Sequence, residues 1–332
     1  MTLLLTTALY YIITRRSHLF NASFTSKFTF LISFLITLLV LGMMISQFNE
    51  HKLFSLLSSI GSRLLMLILI VTLLLALEQL LSFLVSFTPL NLPQGPARGR
   101  ITFSIFLLLF AYGVHQALTT KLTETTIITD NIPHDLKIML VADFHVDDLI
   151  ATLHLQELKK QIALQSPDIV LIAGDFFNKA DVRQANYYAV LSGIQVPMYA
   201  VEGNHDTMGK QLALRHIEDL TPIKFLYNES VILPELNLQL IGLKEAGQWR
   251  NSTLDNVLAT SNIQTGATFN ILMTHQPISL KKLTNVPIDL EVAGHTHRGQ
   301  IRGVSYLVAL VNDYGYGKYT EKNKTAFVTQ GI

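Results

Sequence analysis

Five short blocks hold the side chains most able to do chemistry: Asp143-Phe144-His145, Gly174-Asp175, Gly203-Asn204-His205-Asp206, His275 and Gly294-His295-Thr296-His297. Each follows a short apolar run and offers oxygen or imidazole donors, the kind that suit borderline divalent metals. A pair of such metals suits displacement at phosphorus. Asp143 and His145 are separated by one residue, so both can turn to one side as the chain leaves a strand. Gly174 lets the backbone approach closely, and the Asp175 carboxylate after it can bridge two cations. Asn204 adds a neutral carbonyl oxygen, and His295 and His297 again alternate. Taken singly, Gly-Asp and Gly-Asn are turn signals, and a lone His275 reads as a structural histidine. The ordered set carries the reading.

Strands and helices that could position these blocks alternate along the chain. Strands are expected at 136–143, 168–175 and 197–204, with helices at 151–165, about 181–193 and about 210–220. Further strands are expected at 223–233, 236–243, 269–275, 288–293 and about 304–311. Near-continuous apolar strands joined by helices imply a buried, largely parallel sheet. The later strands imply a second one. In open α/β sheets, ligand sites lie beyond the carboxyl ends of the strands, where all five blocks fall. The Gly315-Tyr316-Gly317-Lys318 run is too short and wrongly spaced for a phosphate-binding loop.

The first part of the chain has another character. The 332 residues are 49% hydrophobic and only 15% charged, with a mean hydropathy of +0.37, too apolar for an ordinary soluble protein. Residues 28–46, 64–87 and 101–119 read as membrane spans, and the shorter 2–14 as a fourth, with Arg15 and Arg16 snorkelling at its end. Residues 121–135 form a polar connector, and 136–332 the soluble domain. Basic residues concentrate in loops 15–27 and 88–100, which places those loops in the cytoplasm and the soluble domain outside it. Glu78 and His115 are ionisable groups at membrane depth. Their plain reading is a helix-to-helix hydrogen bond or an interfacial position.

Charge and composition exclude several functions. Residues 1–119 hold seven Lys/Arg against two acids, whereas the remainder holds 18 against 22. A mildly acidic domain is a poor match for a long nucleic acid. With no cysteine, disulfides, thiolate metal sites and a cysteine nucleophile are ruled out.

The set D-x-H, G-D, G-N-H-[DE], H and G-H-x-H, in that order, resembles the calcineurin-like metallophosphoesterase superfamily over roughly residues 136–332. The apolar N-terminal part and the run Ala293-Gly294-His295-Thr296-His297-Arg298-Gly299-Gln300-Ile301 are similar to its membrane-anchored bacterial branch. The resemblance implies N-terminal transmembrane helices followed by an α/β domain, a β-sandwich of two mixed sheets flanked by helices. It implies one divalent metal on Asp143, His145, Asp175 and His297, and a second on Asp175, Asn204, His275 and His295. Mn²⁺, Fe or Zn²⁺ fit this donor set better than Mg²⁺. His205 would act near the leaving-group oxygen, oriented by Asp206, while a hydroxide shared by the metals attacks phosphorus.

The expected activity is hydrolysis of a phosphodiester or phosphomonoester at a bacterial inner or cytoplasmic membrane, with the bilayer and a lipid-linked phosphate as partners. A nucleotide-diacylglucosamine is one candidate substrate. No obligatory protein partner is inferred. The other reading is a metal-binding membrane scaffold with weak or no catalysis, and a weaker one is a transporter with an accessory domain.

Several positions depart from the pattern or do not belong to it. Arg298 stands where that branch commonly has Gly; it could contact a substrate phosphate as a fork donor or be a surface residue. Asp147 and Asp148 read as helix caps rather than ligands. His154 and His216 read as surface residues, and Trp249 as packing or an acyl-chain contact. The family usually continues past the equivalent of Ile332 with a Gly/Trp/Pro-rich segment and a final strand, so an early end of the domain is expected.

Overall fold

The computed structural model describes residues 70–71, 74–75, 77–90, 93, 95–146, 151–177, 182–207, 211–245, 263–266, 268–299 and 313–332. The chain forms two compact units, Met1–Thr119 and Thr120–Ile332. The expected spans at 2–14 and 28–46 lie outside the described residues, as does the strand at 304–311.

In the first unit, helix α1 runs Gly95–Leu118. Its Gly95–Gln116 stretch is, among the described residues, the one helix long and apolar enough to cross a membrane. At about 1.5 Å per residue it reaches roughly 33 Å. It begins earlier than the expected 101–119, because Pro96 in the first turn is compatible with a helix start. Arg98 and Arg100 therefore lie in its opening turns rather than in a loop. Residues 77–85 are also helical. From there Glu78 accepts a bond from Arg98 Nε, and Ser82 Oγ accepts one from Arg98 Nη2. The acid expected at membrane depth is thus paired with a base.

The second unit is a sandwich. Strands β1 (Ile138–Val141), β2 (Ile169–Ala173), β3 (Met198–Val201) and β4 (Ile223–Phe225) form one sheet in that order. The expectation of two mixed sheets needs correction here, for this sheet is parallel throughout. Each of its connections passes through helical segments: α2 (Ala151–Gln165), then α3 (Val182–Ala185) with a 3-10 stretch at Asn186–Leu191, then α4 (Gln211–Leu220). The second sheet is mixed. It holds β5 (Glu229–Leu233), β6 (Leu238–Gly242), β7 (Phe269–Met273), β8 (Leu290–Ala293), β9 (Gly317–Glu321) and β10 (Lys324–Val328), in the order β5-β6-β7-β8-β10-β9.

The expected strand 223–233 is in fact two, split between the sheets. Asn228, with φ at 59°, makes the turn, a left-handed conformation that asparagine tolerates. Strands β9 and β10 were not expected. They form a tight hairpin around Lys322 and Asn323, and β10 lies parallel to β8.

Alternation along the strands divides the apolar side chains among three layers. Ile169, Leu171, Tyr199 and Val201 meet Leu240, Ile271, Met273 and Val292 between the sheets. The opposite face of the first sheet, with Val170, Ile172 and Ala200, is covered by Leu155, Leu158, Leu214 and Ile217 of α2 and α4. The outer face of the second sheet packs on Ile278, Leu280 and Leu283. The connector is not a free tether, since Ile127, Ile132 and Leu136 pack against the inter-sheet layer.

Gly242 ends β6 where the sheets come together. A Cβ there would lie 2.2 Å from Leu226 Cβ and 3.1 Å from Val201 Cγ1. Gly242→Ala is expected to lower stability by roughly 1–3 kcal/mol, measured as a shift in denaturation midpoint. An unchanged midpoint would show that the sheets do not meet as described.

Candidate metal centre

Every expected metal ligand leaves the end of a strand or the turn after it. Asp143 and His145 follow β1, Asp175 follows β2, Asn204 follows β3, His275 follows β7, and His295 and His297 follow β8. The backbone there is unusual. Asp143, His145, Asp175, His295 and His297 have φ of 60°, 43°, 57°, 71° and 46°. Left-handed conformations cost non-glycine residues about 1–2 kcal/mol each. Such strain persists where surrounding structure over-determines it, typically at functional sites.

Two donor groups result, both containing Asp175. In the first, donor atoms of Asp143, His145, Asp175 and His297 all lie within 4.8 Å of one another; in the second, those of Asp175, His275 and His295 do. His145 Nε2 is 3.4 Å and His275 Nε2 3.2 Å from the same oxygen, Asp175 Oδ2. Further separations are 3.1 Å between His145 Nε2 and His297 Nε2, 3.2 Å between His295 Nδ1 and His275 Nε2, and 3.0 Å from His275 Nε2 to Asn204 Oδ1. Ligand atoms about 2.1 Å from a shared cation sit about 3.0–3.4 Å apart, which is the spacing here. His275 Nδ1 donates to the Ala173 carbonyl at 2.7 Å, so its Nε2 is the atom turned to the centre, as an outer hydrogen bond fixes a ligand's tautomer. The donor set therefore fits a pair of divalent cations.

The loops are clamped to one another through backbone amides. His205 N–H donates to Asp175 Oδ1 at 2.9 Å, and His295 N–H to Asp143 Oδ2 at 3.1 Å. Gly203 and Gly294 permit this, because a Cβ at either would fall 2.2 Å from Asp175 Oδ1 or 2.7 Å from Asp143 Oδ2. Asp206 differs from expectation. It is fully buried, and its carboxylate accepts from the amides of Phe176, Phe177 and Gly203 at 3.1, 3.2 and 2.9 Å. Its bonds join the Asp175 loop to the Asn204 loop rather than orient the His205 imidazole. His205 is exposed at the edge of the centre, its ring edge-to-face with His145 at 4.8 Å.

Burial dominates the electrostatics. It raises Asp143 to about 7 and Asp206 to about 6, and lowers His145 and His295 to about 4. Burial also opposes the charged form of His275, but the hydrogen bond and charge of Asp175 outweigh it and raise His275 to about 9. Against the same burial, His275 holds Asp175 at about 2. Several carboxylates crowded into a low-dielectric site call for added positive charge.

The sequence reading missed Glu202 and Glu291. Each is a carboxylate closing or interrupting an apolar strand run, which was the available signal. Glu202, beside Gly203, is buried and raised to about 7 by burial. Glu291, inside β8, is fully buried; its Oε1 accepts from Thr274 Oγ1 at 3.1 Å and Ile278 N–H at 2.6 Å. It thereby anchors the loop that carries His275. Arg298 is exposed and stacks on Tyr316. His154 is half-buried on α2, and His216 Nε2 lies 3.0 Å from Asn186 Oδ1. Asp147, Asp148 and Trp249 lie outside the described residues.

Residues 136–299 match the family model described as Calcineurin-like phosphoesterase. This segment belongs to that family. Relatives of the phosphoesterase segment include an uncharacterized metallophosphoesterase of Helicobacter pylori, 28% identical over 236 residues that make up 68% of this chain and 63% of that protein. A transmembrane protein with metallophosphoesterase domain from Danio rerio is 27% identical over 68% of this chain and 56% of its own length. A UDP-2,3-diacylglucosamine pyrophosphatase, LpxG, of Chlamydia muridarum is 23% identical over 51% of this chain and 65% of its own. The chain thus spans less than two thirds of the length of each of these three.

Glu291 gives the phosphoesterase domain a pH-dependent stability. Burial raises its pKa from 4.5 to about 8, against the opposing bonds from Ile278 and Thr274. The native state then holds a proton that the unfolded chain releases above about pH 4.5, so this residue's contribution falls as pH rises from 5 to 8, by an amount on the order of a few kcal/mol. Denaturant titrations at both pH values are expected to show a smaller drop for Glu291→Gln than for wild type. Equal drops would contradict the protonated state.

Proposed function

We propose that this chain is a membrane-anchored, metal-dependent phosphoesterase that hydrolyses a phosphodiester or phosphomonoester, with a lipid-linked phosphate as its natural substrate. The observation that carries it is the Asp175 carboxylate, with one oxygen within 3.4 Å of ring nitrogens from two separate donor groups. Asp143, His145, Asp175 and His297 would hold one cation, and Asp175, Asn204, His275 and His295 the other. When bound, the pair supplies Lewis acidity towards phosphoryl oxygens and lowers the pKa of a shared water. The oxygen and nitrogen donors favour Mn²⁺, Fe or Zn²⁺.

The protein's own groups do the rest. His205 lies at the exposed edge of the centre with its backbone pinned to Asp175, so its ring can meet the leaving-group oxygen and deliver a proton there. Asp206 acts at one remove, holding the Asp175 and Asn204 loops in register. Helix α1 supports attachment to a membrane, which would keep the centre at high effective concentration near lipid substrates. The basic residues at 15–27, together with Arg98 and Arg100 in the opening turns of α1, support a domain outside the cytoplasm. The Chlamydia relative, named as a UDP-2,3-diacylglucosamine pyrophosphatase, supports a lipid-linked phosphate as a substrate class.

The test is turnover of bis(p-nitrophenyl) phosphate with added Mn²⁺ by the full chain in detergent. Wild type is expected to turn over only with metal. His205→Ala is expected to lose roughly 100-fold or more in kcat with its metal content kept, and Asp175→Ala to lose both metal and activity. Equal rates in all three proteins would leave a metal-binding scaffold instead.

A further inference from the structure

We propose that Arg298, stacked on Tyr316, forms a subsite for a second anion beside the metal centre, and that the preferred substrate carries a diphosphate linkage rather than a lone phosphate. This rests on the phosphoesterase reading above and names its substrate class.

Arg298 directly follows His297, the last donor of the first group, and has φ 51° and ψ 25°. Glycine adopts that conformation freely, whereas an arginine does so at a cost of about 1–2 kcal/mol. The chain therefore keeps a long cationic side chain at a position where its backbone favours none. Its guanidinium lies over the Tyr316 ring, 4.7 Å from the centroid. The Tyr316 backbone is held in turn, and its hydroxyl lies near one partner. Tyr316 N–H donates to Tyr319 Oη at 3.2 Å, and Tyr316 Oη is 3.5 Å from Thr123 Oγ1. Thr296 Oγ1 donates to the Gly315 carbonyl, so the loop bearing Tyr316 is tied to the turn bearing His295 and His297.

Stacking occupies the face of the guanidinium and leaves its edge, with the forked N–H donors, available. No carboxylate among the described residues pairs with Arg298, and the side chain is exposed. A propped fork that no described carboxylate pairs is suited to bidentate recognition of a phosphate. The donors of the centre would serve the phosphate that reacts. A fork one residue further out, exposed where His297 is half-buried, meets an anion attached to that phosphate. A diphosphate supplies both.

The test is calorimetric binding of orthophosphate and pyrophosphate to the Mn²⁺-loaded full chain in micelles. Arg298→Gly keeps the backbone conformation and is expected to lower the pyrophosphate-to-orthophosphate affinity ratio by about 10-fold. Arg298→Lys is expected to recover only part of it, since an ammonium lacks the fork and stacks less well. Tyr316→Leu is expected to lower the ratio about 3-fold by freeing the guanidinium. Displacement of pyrophosphate by a nucleotide sugar or by a long-chain alkyl diphosphate tells a soluble source from a lipid one, and either result supports the subsite. An unchanged ratio in Arg298→Gly overturns the subsite alone. Failure of wild type to bind either anion overturns the phosphoesterase reading with it.

Discussion

A single buried carboxylate sets the terms for the rest of this domain. Asp175 is almost fully buried at the end of β2, with Oδ2 between the imidazoles of His145 and His275 and Oδ1 fixed by the His205 amide. In so apolar a setting an isolated negative charge would be strongly disfavoured. It is sustained by positive charge on either side, from a protonated His275 or from cations. Because one carboxylate belongs to both donor groups, neither sheet alone can form the centre. The first brings Asp143, His145, Asp175 and Asn204, the second His275, His295 and His297.

Holding these groups together requires structure that local propensity would not choose. Five of the proposed ligands adopt left-handed backbone conformations, and two glycines admit the backbone where any side chain would collide. The opposing stabilisation comes from the three apolar layers and from amide bonds to Asp206, Asp175 and Asp143. Rigid strands carry the ligands, and strained turns aim them, a division suited to a preorganised site.

The site was more legible in the sequence than the fold. Ligand chemistry is discrete, so a carboxylate or imidazole at the end of an apolar run is conspicuous, and alternate spacing in Asp143/His145 and His295/His297 already puts pairs on one side. Strands β1, β2, β3 and β7 could be read for a similar reason, since apolar runs of that length have little else to be. What could not be read depends on partners remote in sequence. The split of 223–233 turns on a single left-handed Asn228, and the β9–β10 hairpin has weak alternation that only pairing with β8 makes decisive. Asp206 lies next to His205 in sequence, which suggested an imidazole partner; only the fold shows its oxygens turned to the amides of Phe176, Phe177 and Gly203. Pro96 at a helix start moved Arg98 from a loop into α1, within reach of Glu78.

The shared carboxylate is most directly tested by electron paramagnetic resonance of the Mn²⁺-loaded protein alongside its metal stoichiometry. Two ions per chain with an exchange-coupled spectrum are expected, since a common oxygen ligand joins their spins. A spectrum of isolated ions, or a single ion per chain, would contradict the placement of Asp175 between two metals.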